Sequence, residues 1–164
     1  MVSSTEQLAE LEIYEVPPQD RIAIKDKLAA IELEAIGHNK SYIGLLENET
    51  FKSPRLVVIT ASDGDNIEGF AYLDQTGNPK VYILEIIAVK TSGQGIGTAL
   101  TRRYREVLLE KGATEVLASV SIEPSSYESV LRRVFEENVY EEKDPTVLET
   151  ALTQPNQKLL RIKL

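Results

Sequence analysis

The stretch EIIAVKTSGQGIGTAL, Glu85 to Leu100, limits what this chain can become more than any other. It starts in the β-branched, apolar pattern of a strand and ends in a helix-forming run. Between the two stand Gly93, Gly95 and Gly97, at every second position. Glycines so spaced cost more chain entropy than a plain turn requires. Their use is a backbone that reaches φ > 0 and comes close to a ligand. Successive N–H groups can then converge on an anion, and the following helix adds the positive end of its dipole. A diphosphate suits such a site.

Two other phosphate loops fit this stretch poorly. A Walker loop needs Lys and then Ser or Thr after its last glycine, whereas Gly97 is followed by Thr98 and Ala99. A dinucleotide fingerprint needs a glycine where Thr98 stands, inside a parallel βαβ unit. An NAD-binding protein and a ligand-free turn remain as alternatives.

The setting upstream reads as antiparallel. RLVVITAS, GFAYLD and KVYILEIIAV form three strands parted by the turns DGDN and QTGNP. Before them come a strand at Leu11–Val16, a helix from about Asp20 that Gly37 stops, and a short helix within SYIGLLENE. After the glycines, Ile96, Leu100, Tyr104, Val107 and Leu108 share one face of a helix that ends at Lys111–Gly112. EVLASVSI is a strand and PSSYESVLRRVFEEN a helix. Short strands are expected around Ala151–Thr153 and Lys158–Leu164, with QPNQ as the turn between them. The order β-α-α-β-β-β-α-β-α-β-β makes one α+β domain of residues 1–164.

Composition excludes several chemistries. There is no cysteine, hence no thiol nucleophile, disulfide or thiolate metal site. The single His38 leaves no histidine cluster for a metal, and its place after Gly37 suits a surface or capping residue. The net charge of −8 argues against nucleic acid and would favour a cationic partner, with a charge that only keeps the protein soluble as the competing account. No apolar run approaches the ~20 residues of a membrane span, and the polar, acidic start is no secretory signal. A cytoplasmic protein is the expectation; a homodimer is compatible with it.

SGQGIGTAL, behind a long fourth strand that ends in Val89, resembles motif A of the GNAT acetyltransferases, with Gly95 and Gly97 at its two fixed positions. The order of elements is similar over nearly the whole chain. The resemblance implies a GNAT-like, mostly antiparallel central sheet flanked by helices. It also implies acetyl-CoA as co-substrate and no metal. The diphosphate would lie on the amides of Gly93, Gln94, Gly95, Ile96, Gly97 and Thr98. The pantetheine arm would pair with the strand edge at Ile87, Ala88 and Val89. The family's Arg or Gln falls on Ser92, and Gln94 is a partial substitute.

The implied reaction moves acetyl to an amine by direct attack in a ternary complex; a non-catalytic acyl-CoA-binding module is the alternative. The amine must be neutral, which calls for a base. Glu85 is the candidate, because a carboxylate among apolar neighbours has a raised pKa. Strand alternation, unless a bulge intervenes, puts it on one face with Val81, Ile83, Ile87 and Val89, and puts Tyr82, Leu84, Ile86 and Ala88 on the other. A structural Glu85, ion-paired or at the open end of the sheet, is the competing account. The resemblance implies a bulge near Val89 that frees an N–H for the thioester carbonyl. In ESVLRRVFEENVY, Phe135 takes the place of the family's tyrosine. It can pack on the cofactor but holds no proton, so Tyr127 or Tyr140 becomes the candidate acid. Glu32, Glu34 and Tyr42 are candidates to greet the amine, and Arg102, Arg103 and Arg105 to meet the 3′-phosphate. For all of these charged residues a solvated helix face competes.

Overall fold

A computed structural model describes residues 11–37, 40–122, 126–151 and 156–164. Its strands are β1 (Glu12–Glu15), β2 (Leu56–Asp63), β3 (Asn66–Gln75), β4 (Val81–Val89), β5 (Glu115–Ser121), β6 (Val139–Glu141) and β7 (Gln157–Lys163). Its α-helices are α1 (Arg21–Ile36), α2 (Tyr42–Leu45), α3 (Asn48–Phe51), α4 (Ile96–Glu110), α5 (Ser126–Phe135) and α6 (Pro145–Ala151). The strands form one sheet in the order β1-β2-β3-β4-β5-β7-β6. Every neighbouring pair is antiparallel except β4 with β5, which run parallel. His38, expected to be a surface or capping residue, lies outside the described residues; Gly37 ends the first helix at φ 76°, with its N–H on the Leu33 carbonyl.

Two apolar clusters sandwich the sheet. On one face α4 buries Ile96, Leu100, Tyr104, Val107 and Leu108 against Val57, Ile59, Ala71 and Leu73. On the other, Leu28 and Ile31 of α1 join Ile43 and Phe51 over Val58, Phe70 and Tyr72. Alternation along β2 and β3 feeds both clusters, as a sheet covered on two sides requires. The Arg21 guanidinium, 1% exposed, donates to the carbonyls of Val16, Phe51, Ser53 and Leu56 and so ties the α1 corner to β2.

The alternation read for β4, which held only if no bulge intervened, is broken by one. Tyr72 pairs with Ile86 but Leu73 pairs with Leu84, so Glu85 is the extra residue of a β-bulge. The bulge reverses the faces. Tyr82 and Leu84 belong to the α4 side, and beyond Glu85 that side takes Ile87 and Val89. Ile86 and Ala88 turn to the α1 side. The expected bulge near Val89 thus lies four residues earlier in the chain. Both β4 faces are apolar, so no pattern in the sequence marked the slip.

The tail also differs from expectation. The sixth strand among the described residues is Val139–Glu141, which the sequence reading did not expect. Ala151 closes α6, and the next four residues lie outside the described ones. The Asp144 carboxylate accepts from the Thr146 N–H at 2.9 Å and Pro145 opens the helix, a start signal legible in KDPTVLET. The SYIGLLENE region makes two one-turn helices rather than one.

Candidate active site

The parallel pairing of β4 with β5 runs only from Val81↔Glu115 to Leu84↔Ala118. Beyond it β5 stays with β7 as far as Ser121↔Gln157, and β4 continues along β3 alone. The sheet therefore splits at the bulge. The Lys90 N–H binds the Glu68 carbonyl, its register partner, so hydrogen-bonded pairs recur at Ala88↔Phe70 and Ile86↔Tyr72. Ile87 and Val89 stand in the intervening pairs, whose N–H and C=O point away from β3. Those groups face the split.

The glycine loop sits at the far end of this edge. Gly93 has φ 83° and Gly95 φ 78°, values that favour glycine alone. Gly95 is the N-cap of α4, whose first ladder bond runs from the Ala99 N–H to the Gly95 carbonyl. From Thr91 to Thr98, no backbone N–H donates to an acceptor among the described residues. A run of amides left without acceptors is what a nest at a helix N-terminus offers an anion. A Cβ added to Gly97 would enter open space. Gly69 lets the helix start lie close: its Cβ would stand 3.0 Å from the Ala88 carbonyl oxygen and 3.2 Å from Ile96 Cγ2.

Loop and edge share one cleft of about 430 Å³. Ile87 and Val89 line it, as do Thr91, Ser92, Gly93, Gly95, Ile96, Gly97 and Thr98; Tyr127, Val130 and Arg133 of α5 close the other wall. Tyr127 was a candidate from the sequence; Val130 and Arg133 went unread, although the i, i+3 spacing from Tyr127 carried them. Arg133 is exposed and makes no ion pair or hydrogen bond among the described residues, so its cation is free to face the loop. Gln94 is not among the lining residues. Ala88 is turned away: its side chain packs on the α1 side and its backbone is committed to Phe70. Phe135 is 2% exposed, stacked on Tyr104 with ring centroids 6.3 Å apart, and belongs to the core.

Tyr127 enters the cleft wall through a chain of hydroxyls. Thr101 Oγ1 donates to the Gly97 carbonyl at 2.7 Å. Its remaining lone pair takes the Tyr127 proton at 3.0 Å, and the Tyr104 hydroxyl donates to Tyr127 at 3.0 Å. Burial pushes the Tyr127 phenol up to about 12, the two hydroxyl contacts pulling the other way. Its proton is bound to Thr101 and held too firmly to serve a thiolate. Tyr140 is exposed on β6 and lies near Lys163.

Glu85 stands at the bulge, where the split begins. It reaches solvent and has no ion pair or hydrogen bond among the described residues, so it is not the ion-paired Glu85 of the competing account. Desolvation by its surroundings raises its carboxyl above the usual range, and Asp74 adds to the rise. Asp74 is itself raised by desolvation, while Arg55 and the Gln75 N–H lower it. Tyr72 and Tyr42 complete the group, their rings meeting edge to face at 6.0 Å. Glu32 has a structural task instead: its buried carboxylate accepts from Ser41 Oγ and from the N–H groups of Tyr42 and Ile43, capping α2. Glu34 and Arg102 are exposed, Arg103 pairs with Glu106, and Arg105 lies over Phe135.

A sheet split after a parallel β4–β5 start, with a glycine nest at the end of the free edge, defines the fold of the GNAT acetyltransferases, and this chain has that fold. The ribosomal-protein-S18-alanine N-acetyltransferase from Escherichia coli superposes with a TM-score of 0.65 at 16% identity, over 93% of each chain. The PaiA N-acetyltransferase from Thermoplasma acidophilum in complex with coenzyme A gives 0.64 at 15% identity, over 94% of this chain and 99% of the other. A Bacillus subtilis acetyltransferase in complex with CoA gives 0.63 at 17%, with the same coverage. No family model and no curated protein sequence matches the chain.

Proposed function

We propose that this protein is an acetyl-CoA-dependent N-acetyltransferase acting by direct attack in a ternary complex. One observation carries the reading: the acceptor-free amides Thr91–Thr98 continue from a strand edge whose Ile87 and Val89 backbone groups are free as well. The nest suits a diphosphate, and the edge suits an extended amide chain that pairs as an extra strand. The residues present therefore fit the coenzyme, and the CoA complexes of two structural neighbours support the fit. Arg133 is placed to add a charge-assisted contact in place of the side chain that Ser92 does not supply.

Acetyl-CoA supplies an acyl group on a thioester, which needs no further activation beyond polarisation. The Ile87 N–H, two residues past Glu85 and pointing into the split, is placed to polarise the carbonyl. Glu85 accepts the proton of the incoming ammonium, directly or through water. The amine nitrogen then forms the C–N bond and the C–S bond breaks; the nitrogen gives its second proton to water, and the departing sulfur takes a proton from solvent. No cleft side chain is suited to give it, since Phe135 is in the core and the Tyr127 proton is committed.

That lack of an acid favours the second reading, a binding module without turnover. CoA-thiol release with a panel of amines separates the two. Release that drops ~100-fold or more in Glu85→Gln supports the enzyme. Thermal stabilisation by acetyl-CoA with no release from any amine supports the module.

A further inference from the structure

We infer that the acceptor is an aliphatic amine bearing a second cationic group, read by Asp74, Tyr72 and Tyr42 beside Glu85; this rests on the acetyltransferase reading above. Tyr72 and Asp74 are two apart on β3 and share the α1 face of the sheet. Asp74 is the register partner of Ile83, and Glu85, the bulge residue, stands two positions further along β4, near enough for the Asp74 charge to act on its carboxyl. Two carboxylates thus flank the start of the split, and neither is ion-paired among the described residues. Arg55 influences Asp74 but donates its hydrogen bonds to the Gln75 and Thr76 carbonyls.

An independent observation marks the place as a site. Tyr72 is 1% exposed, yet its hydroxyl has no hydrogen-bond partner among the described residues. It is close enough to Tyr42, Asp74 and Glu85 to feel all three electrostatically. The ring is buried, but the hydroxyl is not among the sealed unpartnered atoms, so it meets this corner with its hydrogen-bonding capacity open to a ligand or water. An ammonium or its water shell supplies the missing partner. Tyr42, 43% exposed and edge-on to Tyr72, leaves a ring face for a cation.

The charges have separate tasks. A monoamine needs one carboxylate, and Glu85 takes its proton. Asp74 then remains as a partly desolvated anion, offset only by Arg55 without a direct ion pair. A second ammonium, held a few methylenes from the first, fills that place and keeps its own proton throughout transfer. Protons balance: two leave the attacking nitrogen, one for Glu85 and one for the solvent that protonates the departing sulfur, and none leaves the other nitrogen.

The experiment compares 1,4-diaminobutane with 1-aminobutane in CoA-thiol release. Both sites are partly open to water, so the expected preference for the diamine is about 10-fold in kcat/KM. In Asp74→Asn the ratio should fall towards one, with acetyl-CoA still raising the melting temperature as evidence of a folded cleft. Should the variant not fold, Asp74→Glu, which keeps the charge, is expected to preserve the preference. Equal kcat/KM for the two amines in the wild type overturns the inference, as does a ratio untouched by Asp74→Asn. Acetylation of other amines but of neither of these overturns the inference alone. Release from no amine at all overturns it together with the acetyltransferase reading.

Discussion

Leu84 and Ala118 are the last Cα partners of the parallel pairing between β4 and β5, and the next residue of β4, Glu85, is the bulge. The point where the sheet opens is therefore the point where a carboxylate is displaced from the regular ladder. The same slip hands Ile87 and Val89 to the cleft side, so one irregularity places the candidate base and the proposed cofactor edge together.

That edge can be tested at the backbone. Val89→Pro deletes an N–H that points into the split, and it leaves the bonds of Ala88 and Lys90 to β3 in place. Acetyl-CoA affinity should fall about 10-fold, the worth of one well-made hydrogen bond, with a modest change in melting temperature. Ala88→Pro removes a ladder bond to Phe70 in a central strand and should destabilise the fold by ~3 kcal/mol or more. Calorimetric binding and thermal unfolding of the pair read the contrast.

The loop glycines should respond with opposite signs. Gly95→Ala forces a Cβ into the left-handed region and should cost ~1–2 kcal/mol of stability. Gly97→Ala sits in helical backbone with open space around its Cβ, and should stabilise the fold by ~0.5–1 kcal/mol. That Cβ nevertheless enters the cradle, so the second variant should bind acetyl-CoA more weakly. A Gly97→Ala protein with unchanged affinity would sink the nest as the diphosphate site.

For Glu85, the pH profile of kcat/KM should have an acidic limb governed by a carboxyl above the ordinary 4.5, and Glu85→Gln should lose that limb along with ~100-fold or more in rate. Stability should move the other way. The folded-state pKa is raised, so this group favours the fold below its unfolded value, and the advantage is lost as pH rises through the folded value. At neutral pH Glu85→Gln should therefore be at least as stable as the wild type. The difference should close below pH 4.5.

Tyr127→Phe discriminates a positioning residue from an acid. It strips the buried Tyr104 hydroxyl of its acceptor and Thr101 of its donor, at a cost of ~1–3 kcal/mol. With its proton committed, kcat should fall by less than ~10-fold, against the ~100-fold expected for a general acid. The contribution of its raised phenol is present below the ordinary tyrosine range and lost as pH climbs through about 12. Tyrosinate absorbance in an alkaline titration should show Tyr127 among the last to ionise.

Much of this was readable beforehand, and particular residues show why. The α4 face from Ile96 to Leu108 was legible because amphipathic spacing is a local code. Gly93 and Gly95 were legible because few other residues tolerate their backbone. Arg133 and the hydroxyl chain were not, since they depend on how α5 packs on the start of α4. Glu32 misled for the same reason: its partners lie nine to eleven residues away, across a turn.

By itself, the sequence determined the nest, the helix behind it and the meander before it, because φ preferences and hydrophobic periods act over a few residues. Only the tertiary structure decided where β4 slips, which of its amides face the split, and that Asp74, Tyr72 and Glu85 share one corner. A strand apolar on both faces carries no record of its own register. That register is set by the neighbour it pairs with.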